Sequence, residues 1–132
     1  MNNPPPSAAQ SIVFLPTASL SETARFYEGV LGLELALDQG ACRIYRVARA
    51  GYWGFCESQQ PIAEPERTIL TLVSDDVEGW HRRLADAGVP VDGPPRTNEA
   101  FRIFHFFARD PNGYRVEVQR FLDPNWRPSE RD

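Results

Sequence analysis

An α+β fold of two tandem βαβββ modules, their sheets curled around a shared cleft with the helices outside, is what this 132-residue chain predicts. Three observations carry the prediction. The order strand, helix, three strands can be read twice along the chain. Both predicted helices open on a capping-box sequence, Ser19-Leu20-Ser21-Glu22 and Asp75-Asp76-Val77-Glu78, and close on a glycine, Gly32 and Gly88, where a left-handed C-cap belongs. The stretch 101–122, FRIFHFFARDPNGYRVEVQRFL, sets two alternating aromatic-rich runs around Asp110-Pro111-Asn112-Gly113. In that turn Pro presets one φ and Gly accepts a positive one.

The elements follow in order. Residues 1–10 hold three consecutive prolines and predict an extended, poorly ordered arm. The first strand is expected at 11–17. Leu20, Ala24, Tyr27 and Leu31 then recur at helical spacing, with Phe26 and Val30 widening the stripe. Strands follow at 33–38, 43–48 and 52–57, and Trp53, Phe55 and Glu57 share one face of the last. The polar stretch 58–67 carries two prolines and divides a first module (11–57) from a second (68–122). In the second, a β-branched strand at 68–73 leads to a helix with Val77, Trp80 or His81, Leu84 and Ala87 on its stripe. A strand is expected to start at 89–91, a Pro/Gly-bearing loop at 92–100, and then the aromatic hairpin. A tail, 123–132, completes the chain. Neither half could bury its sheet face alone, so the two form one structural domain.

Composition narrows the partners. The net charge of −4 and the lack of any Lys/Arg cluster argue against nucleic acid or an anionic membrane. No apolar run reaches the length of a membrane span, and the start has no secretory-signal pattern. Cys42 and Cys56 make no disulfide framework and no Cys-x-x-Cys pair, which reads as reduced thiols in a cytoplasmic protein. Cys56 is expected to point at a helix and be inert.

Within the hairpin, Ile103, His105 and Phe107 share one parity and Arg115, Glu117 and Gln119 share one, and the loop length should bring all six onto one face. A His, a Glu and an Arg among aromatics is an unusual set for a purely structural core. Glu117 has two readings: a carboxylate paired with Arg115 or His105, or one that receives a donor from a ligand.

SLSETARFYEGVLGLEL, SDDVEGWHRRLADAGVPV and RDPNGYRVEVQ, with the strand order, resemble the vicinal oxygen chelate superfamily, which includes glyoxalase I, extradiol dioxygenases and bleomycin-resistance proteins. In metal-dependent members the resemblance implies a His-Glu-His-Glu ligand set. Its matching positions here are Ile12, Glu57, Ile69 and Glu117, so both imidazoles are replaced by isoleucine. The resemblance also implies a homodimer, with modules paired within or between chains.

The expectation is therefore a metal-free protein, without cofactor, that binds or sequesters a flat, largely apolar, drug-like small molecule. Phe14, Trp53, Phe55, His105 and Phe107 would line the cleft, and Glu57, Arg115 and Glu117 would orient polar groups. The alternative is a glyoxalase-like lyase or a dioxygenase-like metalloenzyme holding its ion with Glu57, His105 and Glu117, or using Glu117 and His105 for acid–base chemistry.

Overall fold

The computed structural model describes residues 3–127. Its strands form two four-stranded mixed sheets of identical topology. The first contains β1 (Ser11–Thr17), β2 (Glu34–Asp38), β3 (Cys42–Ala48) and β4 (Gly51–Glu57), in the order β1-β4-β3-β2. The second contains β5 (Ile69–Val73), β6 (Arg96–Asn98), β7 (Ile103–Arg109) and β8 (Arg115–Phe121), in the order β5-β8-β7-β6. In each sheet the first strand runs parallel to the last and the other neighbours are antiparallel.

The first helix begins as α1 (Leu20–Ala24), with the Ser19 hydroxyl accepting from the Glu22 N–H. It then widens into a π-helical stretch, Arg25–Val30. Within it Phe26 and Tyr27 are both buried, with their rings edge-to-face at 4.8 Å. The second helix, α2 (Val77–Asp86), is capped by Asp76, whose side chain accepts from the Gly79 N–H. The capping sequence points one residue earlier, to Asp75. Gly32 and Gly88 have φ of 74° and 79°, the left-handed geometry expected where each helix ends.

Two strand expectations shift. Residues 89–91 contribute only a bridge from Val91 to Ala108, and pairing resumes as β6 in the segment expected to be loop. Pro94 and Pro95 interrupt the ladder, and the Asp92 carboxylate takes over by accepting the Phe107 N–H at 2.9 Å.

The helix-facing sides of both sheets merge into one core that includes Tyr27, Tyr45, Trp53, Phe55, Leu72, Leu84, Phe106 and Val118. Trp53 and Phe55 thus line no cleft, against expectation. Both turn toward the first helix, their rings 6.0 and 4.5 Å from that of Tyr27. Alternation identifies which residues share a face of β4 but not which way that face looks. The parallel register together with burial decides it: exposed Ile12 and Phe14 lie opposite Tyr52 and Gly54, whereas Leu15 and Thr17, packed inward, lie opposite Phe55 and Glu57, so the even-numbered residues take the helix-free side.

Cys42 and Cys56 lie opposite each other on β3 and β4 and are joined as a disulfide. This corrects the reading of two reduced thiols, and it corrects the orientation of Cys56, which shares the helix-free side with Gly54. A count of two gave no pairing signal; the adjacency comes from hairpin register.

The modules are locked by polar contacts between distant residues. The Tyr27 hydroxyl donates to Asp110 at 2.8 Å, and the Tyr114 hydroxyl to the Pro16 carbonyl at 2.5 Å. Thr17 donates to Asn112 at 2.6 Å, and Arg83 reaches the Val30 carbonyl. Burial, followed by the neighbouring Asp110 carboxylate, pushes Tyr27 well above the usual phenol range, and the same causes in the same order push Tyr114 up to about 12. Tyr45 is also pushed up to about 12, by burial and by its hydrogen bond to Glu28. Burial raises Asp110 as well, while hydrogen bonds from Tyr27, Asn112 and Tyr114 pull against that rise.

Candidate functional site

The helix-free face of the second sheet gathers a histidine, a glutamate and two arginines. β7 and β8 pair so that His105 lies opposite Gln119, Phe107 opposite Glu117 and Arg109 opposite Arg115. The six residues expected on one face are therefore together. The parallel pairing of β5 adds Thr71, opposite Glu117.

At the centre His105 Nδ1 and Glu117 Oε2 are 2.7 Å apart, both residues buried. The Thr71 hydroxyl donates to the other carboxylate oxygen at 2.9 Å. An ionised carboxylate only accepts, so the short contact places the proton on His105 Nδ1 and leaves Nε2 as an acceptor whenever the ring is neutral. Glu117 thereby fixes both the tautomer and the plane of the imidazole. A buried carboxylate with two donors meets the cost of its desolvation, which an unpartnered one would not.

Along the same face the Phe107 ring stands edge-on to His105 at 5.2 Å, and the Arg115 guanidinium lies 4.7 Å above its centre. An open hollow of ≈ 230 Å³ adjoins them, lined by Pro90, Val91, Asp92, Phe107, Arg109 and Arg115 among others. Asp92 is tied to Arg96 at 2.7 Å. Burial pushes the Asp92 carboxyl up, but Arg96 and the Phe107 N–H outweigh it and hold the group below its usual value. Toward the other end, Thr71, Val73 and Phe121 border a second hollow of ≈ 530 Å³, where Trp126 stacks on Phe121 with centroids 4.0 Å apart.

Of the expected site residues, His105, Phe107, Arg115 and Glu117 are assembled here. Phe14 is on the helix-free face of the other sheet, half exposed, its ring lying over Gly54. Trp53 and Phe55 are in the core. Glu57 is exposed at the end of β4 with the helix-facing parity of Phe55, so Glu57, His105 and Glu117 do not form the ligand set considered from sequence. Sequence reasoning missed Thr71, Arg109 and Trp126. For Thr71 the signal was present, since parallel pairing of the module's first and last strands puts it beside Glu117.

The register also locates the position in the first module that corresponds to Glu117. Glu117 lies two residues beyond the partner of Ile69; two beyond the partner of Ile12 is Gly54, not Glu57. The four positions are thus Ile12, Gly54, Ile69 and Glu117. Only one offers a donor atom, and both its oxygens are already bonded. These residues do not fit a divalent metal of this kind. Among the described residues no cluster of three or more His, Cys, Asp or Glu converges as a ligand set.

No curated protein matches the chain in sequence. Solved structures do share its fold. An integron cassette protein from the mobile metagenome of the Halifax Harbour sewage outfall superposes with a TM-score of 0.74 at 23% identity, over 85% of this chain and 97% of that one. A protein titled glyoxalase/bleomycin resistance protein/dioxygenase from Nocardioides gives 0.73 at 15% identity, covering 97% and 91%. The lactoylglutathione lyase of Agrobacterium tumefaciens gives 0.69 at 22% identity, covering 88% and 95%. The model of the Glyoxalase/Bleomycin resistance protein/Dioxygenase superfamily matches residues 9–118, and the chain belongs to that family.

Proposed function

We propose that the protein is a metal-independent small-molecule-binding member of its family, taking a flat, largely apolar ligand on the helix-free face of the second module. The observation that carries this reading is the engagement of Glu117. Its two oxygens accept from His105 and Thr71, so the family carboxylate serves to orient an imidazole. Phe107 offers a ring edge and face beside it, and Phe121 with Trp126 gives an apolar border. Phe14 lies on the open side of the first module and would contribute only where the two open faces meet. Sequestration, the role implied by the bleomycin-resistance members of the family name, needs no more than this.

A second reading is favoured by the same pair. A His whose Nδ1 is held by a carboxylate presents Nε2 as a proton acceptor, as a glyoxalase-like lyase acting by acid–base chemistry would require. A homodimer is supported by the exposed apolar residues Ile12, Phe14, Ile69 and Val73 on the strands that edge each sheet. No helix among the described residues is long and apolar enough to cross a membrane. The expected cytoplasmic location rested on free thiols. The Cys42–Cys56 bond removes that support, since disulfides persist mainly in oxidising compartments.

The test is a thermal-shift screen of flat aromatic compounds, run with and without a chelator and with added Zn, Ni, Mn or Fe. Ligands at about a hundred times Kd should stabilise the protein by about 2.7 kcal/mol, equally in chelator. Near-equimolar transition metal in the purified protein, lost together with binding on chelation, would sink the proposal.

A further inference from the structure

Arg109 and Arg115 face each other directly across β7 and β8. Like charges in that position destabilise a sheet, and neither residue has an ion-pair partner among the described residues. In a chain of net charge −4 this is a local excess of positive charge held against its own stability. Arg67 lines the same end of the sheet, its charge shared at the surface with Glu64 at 3.7 Å. Two other carboxylates border the region. Asp92 is committed to Arg96, and Glu66 sits at the rim, its backbone carbonyl accepting from Arg115 Nε at 2.8 Å. That bond and the contact with Phe107 fix the Arg115 guanidinium while leaving its terminal nitrogens without protein acceptors among the described residues.

The face therefore reads in sequence: an imidazole acceptor at His105, a ring at Phe107, two guanidinium groups at Arg109 and Arg115. From His105 to Arg109 is four residues of strand, or roughly 13 Å. The adjoining hollow of ≈ 230 Å³ is smaller than the roughly 300–1,000 Å³ typical of drug-sized pockets. It suits one ring better than a polycyclic drug.

We infer that Arg109 and Arg115 form a carboxylate-binding subsite, and that the ligand is a single-ring aromatic acid whose far hydroxyl donates to His105 Nε2. The inference rests on the ligand-binding reading of this face given above and names the chemical class that fills it. A planar carboxylate matches the guanidinium fork, and its ring would lie against Phe107.

The experiment uses para-hydroxycinnamate and its neutral carboxamide as probes. Each is titrated into the wild type, Arg109→Gln and Arg115→Gln by calorimetry, while the His105 ring resonances are followed by NMR. All variants are first checked for an unchanged melt. Arg109 is exposed and makes no internal ion pair among the described residues, so its replacement should leave the fold intact. The acid should bind about tenfold tighter than the amide, and raised salt should narrow that gap. Arg115→Gln should weaken the acid about tenfold and Arg109→Gln about threefold, with the amide changed less than about twofold in both. Equal affinities of acid and amide, with His105 resonances shifted by both, would overturn the carboxylate subsite and leave the ligand-binding face standing. No shift at His105 from either probe would overturn the subsite and the reading of the face beneath it.

Discussion

In the first sheet, the step from Ile12's partner along β4 arrives at Gly54, with the ring of Phe14 laid across it. In the second, the same step from Ile69's partner arrives at Glu117, with the Thr71 hydroxyl in the place of that ring. One topology thus presents an apolar cover over bare backbone in one module and a bonded carboxylate–imidazole pair in the other. The helix-facing sides differ far less: aromatics and aliphatics fill both. A βαβββ unit needs its helix-facing residues to fold, whereas its other face is free to diverge: here the second carries a buried carboxylate–imidazole pair, and the first a surface pair of Arg46 with Glu34 beside Tyr52.

That contrast can be broken first at the aromatics. Phe55, fully buried and stacked on Tyr27, should cost about 3–5 kcal/mol when changed to alanine. Phe107→Ala should cost about 1 kcal/mol, since its ring is only partly buried, and should weaken binding of an aromatic ligand several-fold. Urea unfolding of the two variants measures this, and equal destabilisation would mean that the open face is packed as a core.

The pair itself comes next. A double-mutant cycle with His105→Gln and Glu117→Gln should give a coupling energy of about 1.5–3 kcal/mol, as for a hydrogen bond between charged or polarised groups that are buried. A coupling near zero would show that the imidazole and carboxylate do not depend on each other, and the second module would lose its distinction.

The smallest effect is expected at Gly54. A Cβ there would stand 2.6 Å from the Phe14 ring, yet that ring is half exposed and can swing away. Gly54→Ala should therefore change stability by less than about 1 kcal/mol while displacing the Phe14 ring resonances. A destabilisation above about 2 kcal/mol would show that Phe14 is locked, making the first face as structured as the second.

Much of this fold was legible because its signals are local. Ser19, Gly32, Gly88 and Gly113 mark turns and caps by their own conformational preferences, and the hairpin register fixed the company kept by His105 and Glu117. What failed depended on partners distant in sequence. The direction in which Trp53 and Phe55 point follows from how β1 pairs with β4, strands separated in the chain by a helix and a hairpin, and so does the identification of Gly54 as the counterpart of Glu117. Cys42 and Cys56 are a different case: they lie 14 residues apart on the two strands of one hairpin, and only its register, not the count of two cysteines, sets them opposite each other. The strand at 96–98 was hidden behind Pro94 and Pro95, which read as loop and do interrupt the pairing, though only for a few residues.

The tyrosine hydroxyls at and near the joint of the modules set an alkaline limit on the whole molecule. Tyr45 and Tyr114 hold their protons to about pH 12 in the folded chain, and Tyr27 is raised as well, whereas an unfolded tyrosine ionises near 10. Below about pH 10 both states keep these protons and the contribution to stability is fully present. Between about 10 and 12 the unfolded chain releases protons that the folded chain retains, so stability falls as pH rises through that window. Because Tyr27 meets Asp110 and Tyr114 meets Pro16, the hydrogen bonds that ionisation breaks are those holding one module to the other. Alkali should accordingly act on the joint, and a pH titration followed by tyrosinate absorbance should show ionisation and the collapse of tertiary structure in a single cooperative step.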